Sequence, residues 1–350
     1  MRQLDDAGQA VTFWLPELLR PLQSEEGAAL IKSLALPHLQ TLLSKADVFS
    51  AQTASFHEQA SYLFHQPHCL PVASTMAATQ IADYDSNAFW LRVEPLQMVP
   101  DRDTLVLIPP QDLAITEAES RALIETFNAH FEQDRVQLEY GSSLDWYLRI
   151  AQPIDIQTVP LEQAAYQSVN ELYPQGNAAT YWHQMMNEVQ MLFYTHPVNE
   201  ARREKGWPEI NSIWIWGEGR VSADKIQMRE DATIWSAHPY LRGMARLTNA
   251  ATFETPKTYQ AWTESIDRKQ AQHHLIHLEP PYQTLQNSTE QEWQSFLLEL
   301  ESEWFARVIN ALQQQEITSL FIDLGNQKRY YLTPKHMKRF WRLKKSLTKV

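Results

Sequence analysis

Cysteine is nearly absent: Cys69 is the single one in 350 residues. An internal disulfide framework is thereby excluded, and such usage points to a reducing compartment. No apolar run approaches the roughly 20 residues of a membrane-spanning helix, so no span is expected. The opening MRQLDDAGQA is polar and acidic, unlike a secretory signal. These absences read as those of a cytoplasmic protein. Acid is missing from the end of the chain, with none after Asp323. Glycine is scarce, nine residues in all, and four of them, Gly206, Gly217, Gly219 and Gly243, fall in or just after the stretch His196 to Gly219. Neither an internal repeat nor a low-complexity tract is visible.

What is present fits an ordinary globular protein, with 44% hydrophobic residues and 19 prolines. At this length a substantial core is expected, divided into two lobes or built as one large α/β unit with an insertion. Net charge is -12 but uneven. Lys328, Arg329, Lys335, Lys338, Arg339, Arg342, Lys344, Lys345 and Lys349 all follow the last acid. Removing these nine from the 30 basic residues leaves 21 against 42 acidic ones, a body of charge -21. Nucleic acid is therefore not expected as a partner of the body, and the tail is the one electrostatic contact.

Local patterns place most elements. VTFWLPELL, from Val11, reads as a buried strand or a strand running into a turn at Pro16. Ala28 to Ala46 is mostly helical, interrupted by Pro37. Phe89 to Ile108 reads as a hairpin. Thr116 and Glu119 form a capping box for a helix that buries Leu123, Ile124, Phe127 and Phe131. VQLEY and WYLRI are strands. Ala178 to Tyr194 is an amphipathic helix, Ile213 to Trp216 a buried strand, and HLIHL a short strand. A long helix capped by Ser288 and Gln291 buries Trp293, Leu297, Leu300, Trp304, Val308 and Leu312. ITSLFID and KRYYL form a hairpin, and Thr333 and Pro334 start a basic C-terminal helix with Met337, Phe340, Leu343 and Leu347 as its stripe.

The stretch HPVNEARREKGWPEINSIWIWGEG, starting at His196, carries His-Pro-x-Asn-x-x-Arg-x-x-x-Gly, then Asn211, then an apolar strand ending in Gly-x-Gly. This pattern resembles the archaeal-type cofactor-independent phosphoglycerate mutases, and more closely a bacterial family of mutase-like or RPFE-type regulatory proteins. The resemblance implies an α/β fold with an alkaline-phosphatase-like core, shortened, and an α+β insertion domain. Residues 1–88 and 220–350 would form the discontinuous core and 89–219 the insertion. Ala232 to Leu247 resembles the family's helix that returns the chain to the first lobe.

The family's catalytic residues are mostly not matched. LPHLQTLL, from Leu36, takes the place of a helix that follows the family's first metal motif, but the Asp-Gly pair and following Asp of that motif are not there. A Tyr-Arg pair that opens the last insertion strand is replaced by Trp146 and Tyr147. The C-terminal metal ligands would fall on EPPYQTLQ, DLGN and TPKH, where only Asp323 and His336 remain as possible ligands. Two ligands cannot close a two-cation site. The alternatives for them are a hairpin-turn acceptor and a first-turn helix residue. Ser74 and Thr75 read as ordinary polar loop residues rather than nucleophiles. His65, His68 and Cys69 lack the second pair of a zinc site. His273, His274 and His277 alternate faces and cannot all converge on one ion.

Two regions stay open. His196, Asn199, Arg202, Asn211, Arg220, Arg242 and Arg246 could form a phosphate or carboxylate cradle. Alternatively Asn199, as an N-cap, and Gly206, as a helix end, only shape the backbone while Arg202 pairs with surface acids such as Glu200 or Glu218. The basic tail packs Phe340 and Trp341 on the acidic body, touches a membrane surface, or docks an acidic partner protein. The leading expectation is a mutase-like pseudoenzyme without mutase chemistry, binding a phosphorylated metabolite or a protein partner in regulation. A second is an active metal-dependent phosphoglycerate mutase or other phosphotransferase with divergent ligands, and only then is a cofactor, Mn or Zn, expected. A third is a structural module supporting the tail.

Overall fold

The run VTFW lies in β1 (Gln9–Trp14), buried along nearly its whole length because parallel strands flank it on both sides. The computed structural model describes all residues except 1–7, 17, 19–28, 30, 33, 52–53, 103, 135, 170, 268–271, 280–289, 345–346 and 348–350. After β1 come α1 (Pro37–Lys45), β2 (Asp47–Ser50) and α2 (Phe56–Leu63). The helix expected over 28–46 is α1 in its second half, starting at Pro37, where a missing N–H costs nothing. In the first half Ala29, Ile31 and Lys32 are helical, while residues 28, 30 and 33 lie outside the described residues.

The chain then enters α3 (Val72–Gln80), β3 (Phe89–Asp101), β4 (Thr104–Ile108), α4 (Glu117–His130), β5 (Gln137–Tyr140) and β6 (Trp146–Ile150). It continues through α5 (Ala179–Tyr194), α6 (Pro197–Glu204) and β7 (Ser212–Gly219). The capping box at Thr116 and Glu119 is formed, and α4 buries Leu123, Ile124 and Phe127. The five strands make one antiparallel sheet in the order β4-β3-β6-β5, with β7 on β3. Burial of Trp182, Met185, Met186, Val189 and Phe193 fixes α5 on the same core as Trp214 and Trp216 of β7.

The remainder runs β8 (Ala232–Trp235), α7 (Pro239–Thr248), β9 (Ala251–Phe253), α8 (Tyr259–Ser265) and β10 (His273–His277). Then follow α9 (Glu290–Leu300), a π-helical turn (Glu301–Phe305), α10 (Ala306–Gln314), β11 (Ile317–Asp323), β12 (Lys328–Leu332) and the one-turn α11 (Pro334–Met337). A seven-stranded sheet has the order β2-β12-β11-β1-β10-β8-β9, parallel except for β12 and β2. Trp293, Leu297, Leu300, Trp304, Val308 and Leu312 are all buried against Phe13, Ile276 and Leu320, as their spacing predicts. Ser288 of the expected cap lies outside the described residues.

Two units are distinguished, residues 1–66 with 227–350, and 67–226. The second starts earlier and ends later than the 89–219 expected from the sequence, because α3 packs on β3 and β7. Two further expectations are corrected. Ala232 to Leu247 is a strand followed by a helix, since Pro239 can open a helix but not sit within one. The basic tail is not a long amphipathic helix: α11 ends at Met337, and Phe340 and Leu343 are exposed rather than part of a buried stripe. No helix among the described residues is long and apolar enough to cross a membrane.

Candidate functional site

In the second unit, the stretch His196 to Gly219 is an internal brace. Pro197 opens α6, and the N-cap is His196 rather than Asn199; its Nδ1 accepts from the Val198 N–H (3.1 Å). That leaves Nε2 to donate to the Thr126 hydroxyl (3.0 Å). Burial lowers the His196 pKa, against the pull of Glu200. Asn199 is fully buried: Nδ2 donates to the carbonyls of Phe193 and Ile210 (both 2.8 Å), and Oδ1 accepts from the Ile210 N–H (2.8 Å). Arg202 is buried as well, donating to the carbonyls of Pro208 (2.9 Å) and Leu113, with Glu119 at 3.4 Å. Asn211 bonds both the N–H and the carbonyl of Met98 (2.8 and 3.0 Å), standing in for a neighbouring strand.

The glycines of this stretch have separate reasons. Gly206, at φ +69°, ends α6, with its N–H on the Arg203 carbonyl and the Trp207 N–H on the Arg202 carbonyl. Gly217 and Gly219 also have positive φ, and a Cβ on them would lie 3.0 Å from Val72 and 2.7 Å from Pro71. The Gly-x-Gly lets the end of β7 approach the start of α3.

Four residues of the expected cradle are thus engaged within the second unit. His196, Asn199, Arg202 and Asn211 bond protein groups, and Arg202 does not pair with Glu200 or Glu218 but with Glu119 and two carbonyls. Arg220 is exposed in the second unit, while Arg242 and Arg246 are exposed on α7 of the first.

A buried charged network in the second unit was not singled out from sequence. The Arg92 guanidinium bonds Glu94 (2.7 Å) and Asp145, and lies 5.1 Å from the Trp216 ring centroid. Trp216 Nε1 donates to Glu94 (2.6 Å). Burial pushes the Glu94 carboxyl up to about 7, although Arg92 and the Trp216 hydrogen bond pull it down. Asp145 goes the other way: burial would raise it, but Arg92, Ser142 and Gln80 outweigh that and lower it. The available signal was a basic and an acidic residue at alternate positions of an otherwise apolar strand, FWLRVEPLQM.

In the first unit, polar and aromatic groups collect at the carboxyl ends of the parallel strands, where open α/β sheets commonly place ligands. β1 ends at Trp14, β10 at His277 and β11 at Asp323, and Ser236 follows β8. His277 is buried, with Nδ1 2.8 Å from Glu279 Oε1 and 3.1 Å from Ser236 Oγ. Among the described residues neither its buried Nε2 nor the buried Trp14 Nε1 has a hydrogen-bond partner. The Trp14 ring lies 4.6 Å from Phe56 and 4.9 Å from His277, and Phe56 is 4.5 Å from His238. His238 caps α7, its Nδ1 accepting from the Tyr240 N–H (3.2 Å). Burial would raise the Glu279 carboxyl, yet hydrogen bonding and charge from His277, then charge from His238, hold it below its usual value.

The weak metal candidates are otherwise engaged. Asp323 accepts from the Gly325 N–H (3.0 Å) and Arg329 Nε (2.9 Å), a hairpin-turn acceptor with an ion pair. His336 Nδ1 accepts from the Thr333 N–H (2.7 Å), and Nε2 faces Asp47 (3.0 Å). At two adjacent strand ends there stand an Arg329-paired carboxylate and an indole. Among the described residues, no group of three or more His, Cys, Asp or Glu side chains gathers to hold a metal ion. His65 stacks on His273 at 5.0 Å, whereas His68 and Cys69 are exposed. His274 faces Gln9 (2.9 Å) and Trp235 (3.2 Å). Ser74 and Thr75 are buried residues of α3 rather than loop residues, with Ser74 2.9 Å from the Tyr84 hydroxyl.

No family model matches the chain. It is 25% identical to a probable 2,3-bisphosphoglycerate-independent phosphoglycerate mutase of Geobacter sulfurreducens, over 57% of this chain and 53% of that protein. It is also 25% identical to a 2,3-bisphosphoglycerate-independent phosphoglycerate mutase of Methanosarcina barkeri, over 51% of this chain and 50% of that protein. The chain thus spans about half the length of the curated relatives it matches. Among solved structures, the cofactor-independent phosphoglycerate mutase of Thermoplasma acidophilum aligns with a TM-score of 0.51 at 13% identity, covering 97% of this chain and 94% of that one. The PH0037 protein of Pyrococcus horikoshii aligns with 0.54 at 12% identity, covering 93% and 88%. By sequence this chain is similar to the cofactor-independent phosphoglycerate mutases over about half its length, and by fold it shares the mixed α/β architecture of their solved structures.

Proposed function

We propose that this mutase-like chain does not transfer phosphoryl groups and acts instead as a regulatory protein that binds a phosphorylated metabolite. The observation that carries this reading is the donor set at the strand ends: β1 finishes in a stacked, buried Trp14, and the Asp323 carboxylate is already bonded by Arg329 and Gly325. In-line phosphoryl transfer between metal ions requires oxygens and imidazoles free to face the cations from both sides. At the same edge, Glu279 accepts from His277 Nδ1 and leaves the buried Nε2 as the ring atom open to a ligand. A hydroxyl of a small phosphorylated acid would satisfy that buried atom.

The test combines metal content with ligand binding. Purified protein is expected to hold Mn and Zn far below one equivalent and to show no phosphoglycerate mutase turnover with Mn²⁺ added. Its melting temperature is expected to rise with 3-phosphoglycerate, an effect reduced in His277→Gln. Stoichiometric metal that disappears in Asp323→Ala, together with turnover, would establish the opposite reading. That second reading, an active metal-dependent phosphoglycerate mutase, is favoured by the names of the relatives, which are 20–25% identical to this chain.

A further inference from the structure

No acid follows Asp323, and nine lysines and arginines do. Two of them fold back onto β2, the outermost strand of the seven-stranded sheet. Arg339 donates to both Asp47 oxygens (2.6 and 3.1 Å) and to the Lys45 carbonyl (3.0 Å). Arg342 donates to Asp47 (3.2 Å) and to the Ala46 carbonyl. The Arg339 hydrogen bond acts most strongly on Asp47, and with His336 it holds the carboxyl well below the usual range despite desolvation. The turn after α11 is thereby pinned to the sheet edge. Between and beside its two anchors, Phe340 is 85% exposed, Trp341 64% and Leu343 80%. Val48 and Phe49, directly after Asp47 on β2, are 50% and 52% exposed. Lys335, Lys338 and Lys344 are exposed around them.

We propose that this pinned turn is a peripheral membrane-contact surface for anionic bilayers, with Phe340, Trp341 and Leu343 entering the boundary between headgroups and acyl chains. Basic residues around them would meet lipid phosphates. Charge complementarity selects this occupant: a body of -21 is repelled by an anionic surface, so contact is confined to the one basic end. The shape argues the same way. Side chains exposed this far project outward, which suits a fluid interface, whereas a protein partner is usually held by anchors seated in packed pockets.

The full chain is to be sedimented with phosphatidylcholine vesicles, with and without phosphatidylglycerol. Binding is expected with the anionic vesicles alone, weakened by salt. Phe340→Ser/Trp341→Ser should weaken it at least about tenfold with an unchanged melting temperature. Equal binding to neutral and anionic vesicles, no binding to either, or an unaffected double variant overturns the proposal. So does tight binding to soluble polyglutamate that survives the double variant, which would mark an acidic protein site. Self-association abolished by the double variant would mark an interface between copies, and would overturn it too.

Discussion

Arg202 shows how a charged residue can serve the fold rather than a ligand. Its guanidinium is buried and bonds the carbonyls of Leu113 and Pro208, the first of which is buried with no solvent to replace it. Removing one partner of such a set leaves a buried acceptor unpaired, a cost larger than the net gain from forming the bond. Arg202→Ala is expected to lower stability by about 3 kcal/mol in urea unfolding. Arg202→Lys should recover little of it, because one ammonium cannot reproduce a planar fork. The same logic explains why Asn199 is not available as an anion donor: the three bonds it makes close the α5–α6 turn onto the chain before β7.

At the scale of elements, α1 has no capping side chain at Leu36, yet its first N–H groups are not left open. Glu301, at the π-helical turn between α9 and α10, bonds the N–H groups of His38 (2.5 Å) and Leu39 (3.0 Å) and the His38 ring (2.8 Å). A buried carboxylate at a helix N-terminus satisfies orphan donors and meets the favourable end of the helix dipole. Glu301→Ala should therefore cost about 2 kcal/mol and Glu301→Gln less, read from thermal melts. A local pattern could place α1 and the α9–α10 stripe separately, but the residue that joins them lies more than 260 positions away. The tail illustrates the converse. Its apolar spacing fits a helix, but Arg339 and Arg342 find Asp47 on the sheet edge and the Lys45 and Ala46 carbonyls at the end of α1, and the chain turns back after Met337.

At the scale of the whole molecule, each unit holds a buried group that answers pH in the opposite sense to that of the other. In the first, burial, then the charges of Arg229 and His65, lower His273 to about 3, and burial lowers His274 to about 4. Below an unfolded pKa near 6.5 the unfolded chain takes up these protons before the folded one does, so stability falls as pH drops from about 6.5 towards 3. In the second unit Glu94 is raised to about 7 by burial. Its contribution is fully present below an unfolded pKa near 4.5 and is lost as pH rises through about 7, on the order of 3 kcal/mol. Hydrogen exchange between pH 5 and 7 should show the second unit's β3 and β7 becoming less protected with rising pH relative to the first unit's β10. Glu94→Gln should remove that trend, and an unchanged trend would assign it elsewhere.

Sequence alone determined the charge asymmetry, the capping box at Thr116, the buried run of β1, the stripe from Trp293 to Leu312, and a family likeness carried by the stretch after His196. Each depends on neighbours within a turn or a strand, whose periodicity is written in the chain itself. It also placed Asp323 at a hairpin turn and His336 in a first helical turn. What only the tertiary structure decided is which of these groups meet. The partners of Asn199, Arg202, Glu301 and Asp47, the carboxyl-edge cluster around His277, and the exposure of Phe340 all follow from strand order and chain crossings. Contacts between residues distant in sequence are set by how whole elements pack, and no local spacing encodes them.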